Sequence, residues 1–366
     1  MTVREVLLFA ADLMLSIGLL KATMLIVFAL LLVRGLRRAS AAVRAGVWSF
    51  AVLALLSLPL LGYVVPWWDV GLIAFPQSLF DTETALQATL ADLLRVAGVR
   101  AAPPPAIWLA VLWIAGSVLL GAHFLWQRLG VELIARTGEA ARDRRTLEAV
   151  ARLRWHVGLR RAVRVVHSDL VQAPFAFGVF RATLVLPHAA HEWSNEELYA
   201  VLRHELAHVT RADYVLLLIG ELARILYWPN PAVWLALGAL RRTQDAACDD
   251  LVLRGGVPAT AYARHLVSVA RTAVAGSRLP RAALPLLSHG DLRSRVAAIL
   301  DRSSDRRPAP RTARALSLAV AAALAVVISG ANLWVCPSAE ATGDALGGQA
   351  AVAPSSGNAL TAPDVG

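Results

Sequence analysis

Residues 194–213 read SNEELYAVLRHELAHVTRAD and hold, at 204–208, the pentapeptide His-Glu-Leu-Ala-His. On a helix, side chains four apart share a face, so the imidazoles of His204 and His208 can converge on one metal ion. Glu205 stands one step round, where a carboxylate can take a proton from an attacking water. The pattern points to zinc and to peptide hydrolysis. Ser194 and Glu197 form a capping box, the serine capping the helix start while the glutamate reaches back. The spacing therefore predicts a helix that opens at Ser194 and runs to about Val209. The bland alternative is a chance match with both histidines on a polar surface, and it leaves the cap and the helix length unexplained.

A hydrolytic zinc site needs a third protein ligand and one open position. The candidate is Asp245, in the run RRTQDAACDD at 241–250, on a helix expected over about 233–254 and stopped by Gly255 and Gly256. A carboxylate on a helix downstream of the two-histidine helix is the gluzincin arrangement. Asp249, one turn further on, is expected to orient a ligand histidine, because such a ring needs an acceptor for its other N–H. The competing reading pairs both aspartates with Arg241 and Arg242. His156, His167, His188, His191, His265 and His289 lack a partner at ligand spacing and read as structural or surface residues.

Outward from the motif, the chain is apolar: 366 residues, 57% hydrophobic and 17% charged, with a mean hydropathy of +0.56. These values exclude an ordinary soluble domain and fit a mainly α integral membrane protein. Four runs have about the ~20 residues that cross a bilayer as a helix: 14–33, 45–65, 106–126 and 314–336. Residues 1–126 are thus expected to form a membrane region of three spans. Residues 127–313 are expected to form a cytoplasmic α+β zincin-like metallopeptidase domain inserted before the fourth span, and 337–366 a disordered extracytoplasmic tail. Within the domain, the patterns predict a charged helix over 128–152, a short strand at 163–166 and two strands around Gly178 between Phe175 and Pro187. Further helices are expected over 262–275 and 291–300. The apolar stretch 214–240, broken by Glu221, Arg224 and Pro229-Asn230-Pro231, reads as a pair of buried or membrane-touching helices.

Orientation follows from charge. Arg34, Arg37, Arg38 and Arg44 follow the first run, and 127–313 is dense in arginine, so both are expected inside the inner (plasma) membrane. The 66–105 loop is net acidic, and Glu340, Asp344 and Asp364 mark the tail, so both termini are expected outside. The net charge of +10 is thereby assigned to topology in place of direct nucleic-acid binding. Cys248 and Cys336 fall on opposite sides and imply no disulfide framework.

The run 194–213 resembles the core of the BlaR/MecR family of antirepressor membrane zinc peptidases. So do Trp228–Trp234 (WPNPAVW), Ala247–Asp250 (ACDD), Tyr262-Ala263 with Leu266, Ala173–Gly178 (APFAFG) with Leu184–Pro187, and Ser40–Trp48 (SAAVRAGVW). The resemblance extends in order over about 14–300. It implies that His204 and His208 are zinc ligands and Glu205 the catalytic base, with a cytosolic repressor of winged-helix type as substrate, or self-cleavage, and possible homo-oligomers as the assembly. The third ligand in that family is normally glutamate, and here it is Asp245. The sole lysine is Lys21, so neither Ser-x-x-Lys nor Lys-Thr-Gly occurs and no covalent β-lactam binding is expected of these residues. Two other readings stand beside this one: a housekeeping membrane protease, and a catalytically degenerate sensor or scaffold.

Overall fold

The apolar runs fold as long helices in the computed structural model, which describes residues 19–64, 68–76, 105–275, 292–301, 303, 306 and 311–338. The chain divides into two units, the first comprising 1–68 and 103–331 and the second 69–102 and 332–366. The described part of the second unit is a two-stranded sheet of β1 (Trp68–Pro76) and β6 (Ala331–Ser338). All that follows concerns the first.

Helices α1 (Ala22–Gly35), α2 (Ala41–Val64) and α3 (Pro105–Thr137) cover the three N-terminal runs. Among the described residues, 41–61 and 107–137 are long and apolar enough to cross a membrane. Positions 14–18 of the first expected span, most of the 66–105 loop and 339–366 lie outside the described residues. The C-terminal run forms α10 (Arg311–Gly330), and the last six residues of the expected 314–336 span are strand. Gly330 and Asn332 weaken the helix there, and Trp334 and Val335 favour an extended chain.

Helix α3 does not stop at 126. It continues to Thr137, with Glu132 bridging Arg128 at 3.6 Å and Arg136 at 3.1 Å, so a single helix crosses the expected domain boundary. Trp108, Leu119 and Trp126 on its upper part are exposed, while Val131 and Ala135 near its end are buried. The expected helix over 128–152 is therefore two, the end of α3 and α4 (Arg144–His156), separated by β2 (Glu139–Ala140).

The extension covers a four-stranded sheet in the order β2-β3-β5-β4, with β3 at Val163–Ser168, β4 at Phe175–Phe177 and β5 at Ala182–Pro187. Strands β3 and β5 run parallel, Val163 opposite Ala182, and β4 returns antiparallel on the edge, Phe175 opposite Val185. The turn between β4 and β5 requires Gly178, whose φ is +106° and whose Cβ position is filled by the Arg181 carbonyl. One sheet face packs Val166, Val185, Phe175 and Phe177 on Val131 and Ala135 of α3. The other packs Leu184 and Leu186 against α4 and α5 (Asn195–Arg211), through Leu153, Leu198, Leu202 and Leu206. Each fully buried leucine contributes about 2 kcal/mol, so the register of α5 on the sheet is firmly set.

Helices α6 (Asp213–Leu226) and α7 (Pro231–Arg254) form a hairpin, followed by α8 (Ala259–Ala275) and α9 (Leu292–Leu300). The hairpin tip is held by the N-terminal helices. The Tyr227 hydroxyl donates to the Leu55 carbonyl at 2.8 Å, Asn230 Nδ2 to Thr23 Oγ1 at 3.0 Å, and Trp113 Nε1 to the Leu226 carbonyl at 2.8 Å. Asn230 also caps α7 through Ala232 N–H at 3.0 Å. Val233, Leu237 and Leu240 share a core with Leu25, Trp48, Leu55 and Ile328. Helix α7 thus runs from the bundle of apolar helices to the centre described next.

Candidate metal centre

Ser194 accepts from the Glu197 N–H at 3.2 Å and starts α5 as expected. The reciprocal half of the box is not made, since Glu197 Oε1 is buried without a partner. Ten residues on, packing of α5 against the sheet buries His204 and Glu205. Helical spacing brings Nε2 of His204 and Nε2 of His208 to 3.2 Å from each other. From α7, Asp245 Oδ1 stands 3.6 Å from His208 Nε2, and the three ligand atoms all lie within 4.8 Å of one another.

The outward-facing nitrogens are both engaged. Nδ1 of His204 lies 3.1 Å from Asp249 Oδ1, and Nδ1 of His208 lies 2.9 Å from Asp213 Oδ2. A carboxylate at Nδ1 fixes the proton there and leaves the Nε2 lone pair for an ion. These residues therefore fit a zinc-type ion: two convergent imidazoles, a carboxylate beside them, and acceptors behind both rings.

Around Asp249 the sequence reading was incomplete. Tyr262 donates to Asp249 Oδ1 at 2.6 Å, and Arg295 of α9 makes a two-pronged contact at 3.0 and 2.7 Å. Although burial opposes it, Arg295 and His204 hold the Asp249 carboxyl well below the usual carboxylate range. Burial pushes His204 down to about 4, so its contact with Asp249 is a hydrogen bond with a neutral ring. Asp213 also takes Arg211 Nε at 3.1 Å and the Cys248 thiol at 3.7 Å. Burial pushes that thiol up to about 11, so with no ion beside it the group is a neutral donor to Asp213. Arg241, offered by the competing reading as a partner for the aspartates, contacts Glu221.

Glu205 faces a cleft. Burial raises its carboxyl to about 7, with Asp245 adding to the rise while His208, Arg295 and the Ala176 backbone oppose it. The cleft is walled by Phe175 and Phe177 of edge strand β4 and by Val131, Tyr214 and Leu217, with Gln244 at its polar end. Asp213 closes the quoted run 194–213 and Tyr262 lies in another quoted fragment, so both had a signal. Arg295 had none.

A two-histidine helix answered by a carboxylate from a second helix forms a possible metal-binding group, on a chain with two helices of membrane length among the described residues. The sequence profile described as BlaR1 peptidase M56 matches residues 13–299, and the chain belongs to that family. Over 143 residues, 39% of this chain and 24% of the relative, it is 27% identical to the regulatory protein BlaR1 of Bacillus licheniformis. Over 96 residues, 26% of this chain and 16% of the relative, it is 25% identical to the methicillin resistance mecR1 protein of Staphylococcus aureus. The chain thus matches about a quarter or less of the length of these curated relatives.

Proposed function

We propose that the chain is a multi-pass membrane zinc endopeptidase that transduces a signal by cutting a protein on its arginine-rich, cytoplasmic side. The observation that carries this reading is the pair of Nε2 atoms 3.2 Å apart, each ring backed by its own carboxylate. Zinc held by His204, His208 and Asp245 would supply Lewis acidity, lowering the pKa of an attacking water toward ~7 and polarising the scissile carbonyl. Glu205 takes the proton of that water and passes it to the leaving amine; burial, which keeps its proton affinity high, suits it to both acts. Among the described residues β4 is the edge strand beside Glu205, where an extended substrate adds along the sheet with its side chains in the apolar cleft.

Signalling is favoured by the α6–α7 hairpin. Its tip is bonded to α1, α2 and α3, and its other end carries Asp245 and Asp249. A shift among the membrane helices therefore moves a ligand. The fitting substrate is a cytosolic regulator such as a winged-helix repressor, or the chain itself.

Mass spectrometry of membranes from cells making wild type or Glu205→Gln tests the proposal. Fragments seen with wild type alone, together with stoichiometric zinc in both purified proteins, are expected. Identical fragments from both, or purified protein without zinc, overturns it.

A further inference from the structure

Three residues far apart in the chain meet at the end of β3. Asp143 caps α4 with Oδ2, which accepts from the Thr146 N–H at 2.9 Å. That leaves Oδ1, which lies 3.4 Å from Nε2 of His167 on β3. His191, on the 3-10 turn His188–Glu192 that leads into α5, stacks its ring on His167 at 4.2 Å between centroids. His188 flanks both, with its centroid 5.3 Å from that of His191. One ligand atom from each of Asp143, His167 and His191 falls within 4.8 Å of the other two.

The buried polar atoms point to what is missing. His167 is 3% exposed, yet neither of its ring nitrogens completes a hydrogen bond, and neither does Asp143 Oδ1. Stranding such groups is costly, and native structures rarely leave them so. They open into a pocket lined by Glu139, Arg142, Asp143, His167 and His191. Two carboxylates thus face one guanidinium, and Arg142 is exposed.

We propose that Asp143, His167 and His191 form a second metal site, for a divalent first-row transition ion of the zinc type, sharing no residue with the centre on α5. Imidazole and carboxylate donors select such ions over calcium or magnesium. Donors each about 2.1 Å from a tetrahedral ion stand about 3.4 Å from one another, which is the spacing of Asp143 Oδ1 and His167 Nε2. A rotation of the exposed His191 closes the rest, with His188 or Glu139 available as a fourth donor. The ion would pin the 3-10 turn, through His191 three residues before the Ser194 cap, to the sheet and to the start of α4.

Titration of the chelator-treated, full-length protein in detergent with Co2+, followed in the visible spectrum, tests the site. Wild type is expected to take two equivalents, His191→Ala one, and the double variant His204→Ala/His208→Ala one. In that double variant Co2+ should still raise Tm, and adding His191→Ala should abolish the rise. His191 is exposed, so its replacement leaves the core packing in place, and it is chosen over the buried His167 for that reason. One equivalent in wild type with the same in His191→Ala, or two in His191→Ala, overturns the second site. Loss of the α5 equivalent alone would bear on the proposed peptidase and leave this site standing.

Discussion

Asp213 reaches back to Nδ1 of His208, 2.9 Å away, from beyond the end of the helix that carries the histidine. The reach is made by Ala212, whose φ of 56° ends α5 in the left-handed region and starts α6 at once. A residue that disfavours this conformation is therefore spent on aiming a side chain.

Asp213→Asn keeps an acceptor at that spot and removes its charge. Partners of this kind tune metal affinity by about 10–100-fold. Competition against a zinc chelator should show a loss of at least about tenfold at the α5 centre, and an unchanged midpoint would refute the role.

Arg295→Leu leaves the Asp249 carboxylate buried and without its guanidinium. Breaking a buried pair from one side costs about 3–5 kcal/mol, so Tm should fall by many degrees. The double variant Arg295→Leu/Asp249→Asn should recover part of the loss, because no stranded charge remains. A double variant that is no more stable than the single one counts against the pair.

Removal of metal should expose the titration of Glu205. Its carboxyl has an ordinary value of 4.5 and stands at about 7 when folded, so burial costs nothing below the first and a full charge above the second. The wild type minus Glu205→Gln stability difference should therefore drop by roughly 3 kcal/mol as pH rises from 4.5 to 7. Taking the difference matters, because His204, held near 4, destabilises the fold in the opposite direction, as pH falls below 6.5. A difference flat in pH, measured by urea unfolding in chelator, would dismiss the account.

Asp245→Ala should weaken metal binding far more than Asp245→Glu, since the latter retains a carboxylate on the same helix position. Equal affinities for the two variants, by metal titration, would remove Asp245 from the ligand set.

The sequence made α5 legible because cap, ligand spacing and apolar stripe agree along one short segment. Gly178 likewise marked the turn between β4 and β5. The run-on of α3 was hidden, since the hydropathy drop at Gln127-Arg128 marks an end of apolar character and not of helix. Its continuation depends on the sheet that Val131 and Ala135 cover, a long-range fact. Arg295 was invisible for the same reason. So was the meeting of His167 with Asp143 and His191, which strand register and a turn decide and no spacing announces.

The support of His204 by Tyr262, and through Asp249 by Arg295, has a consequence in time. The guanidinium nearest its ring, 3.5 Å from Nε2, lies 91 residues further along the chain. At about 5–20 residues per second, the ribosome adds that arginine roughly 5–18 s after the histidine. A nascent chain therefore carries His204 and His208 well before Tyr262 and Arg295, which support His204. The centre is finished only when α9 has been made and docked.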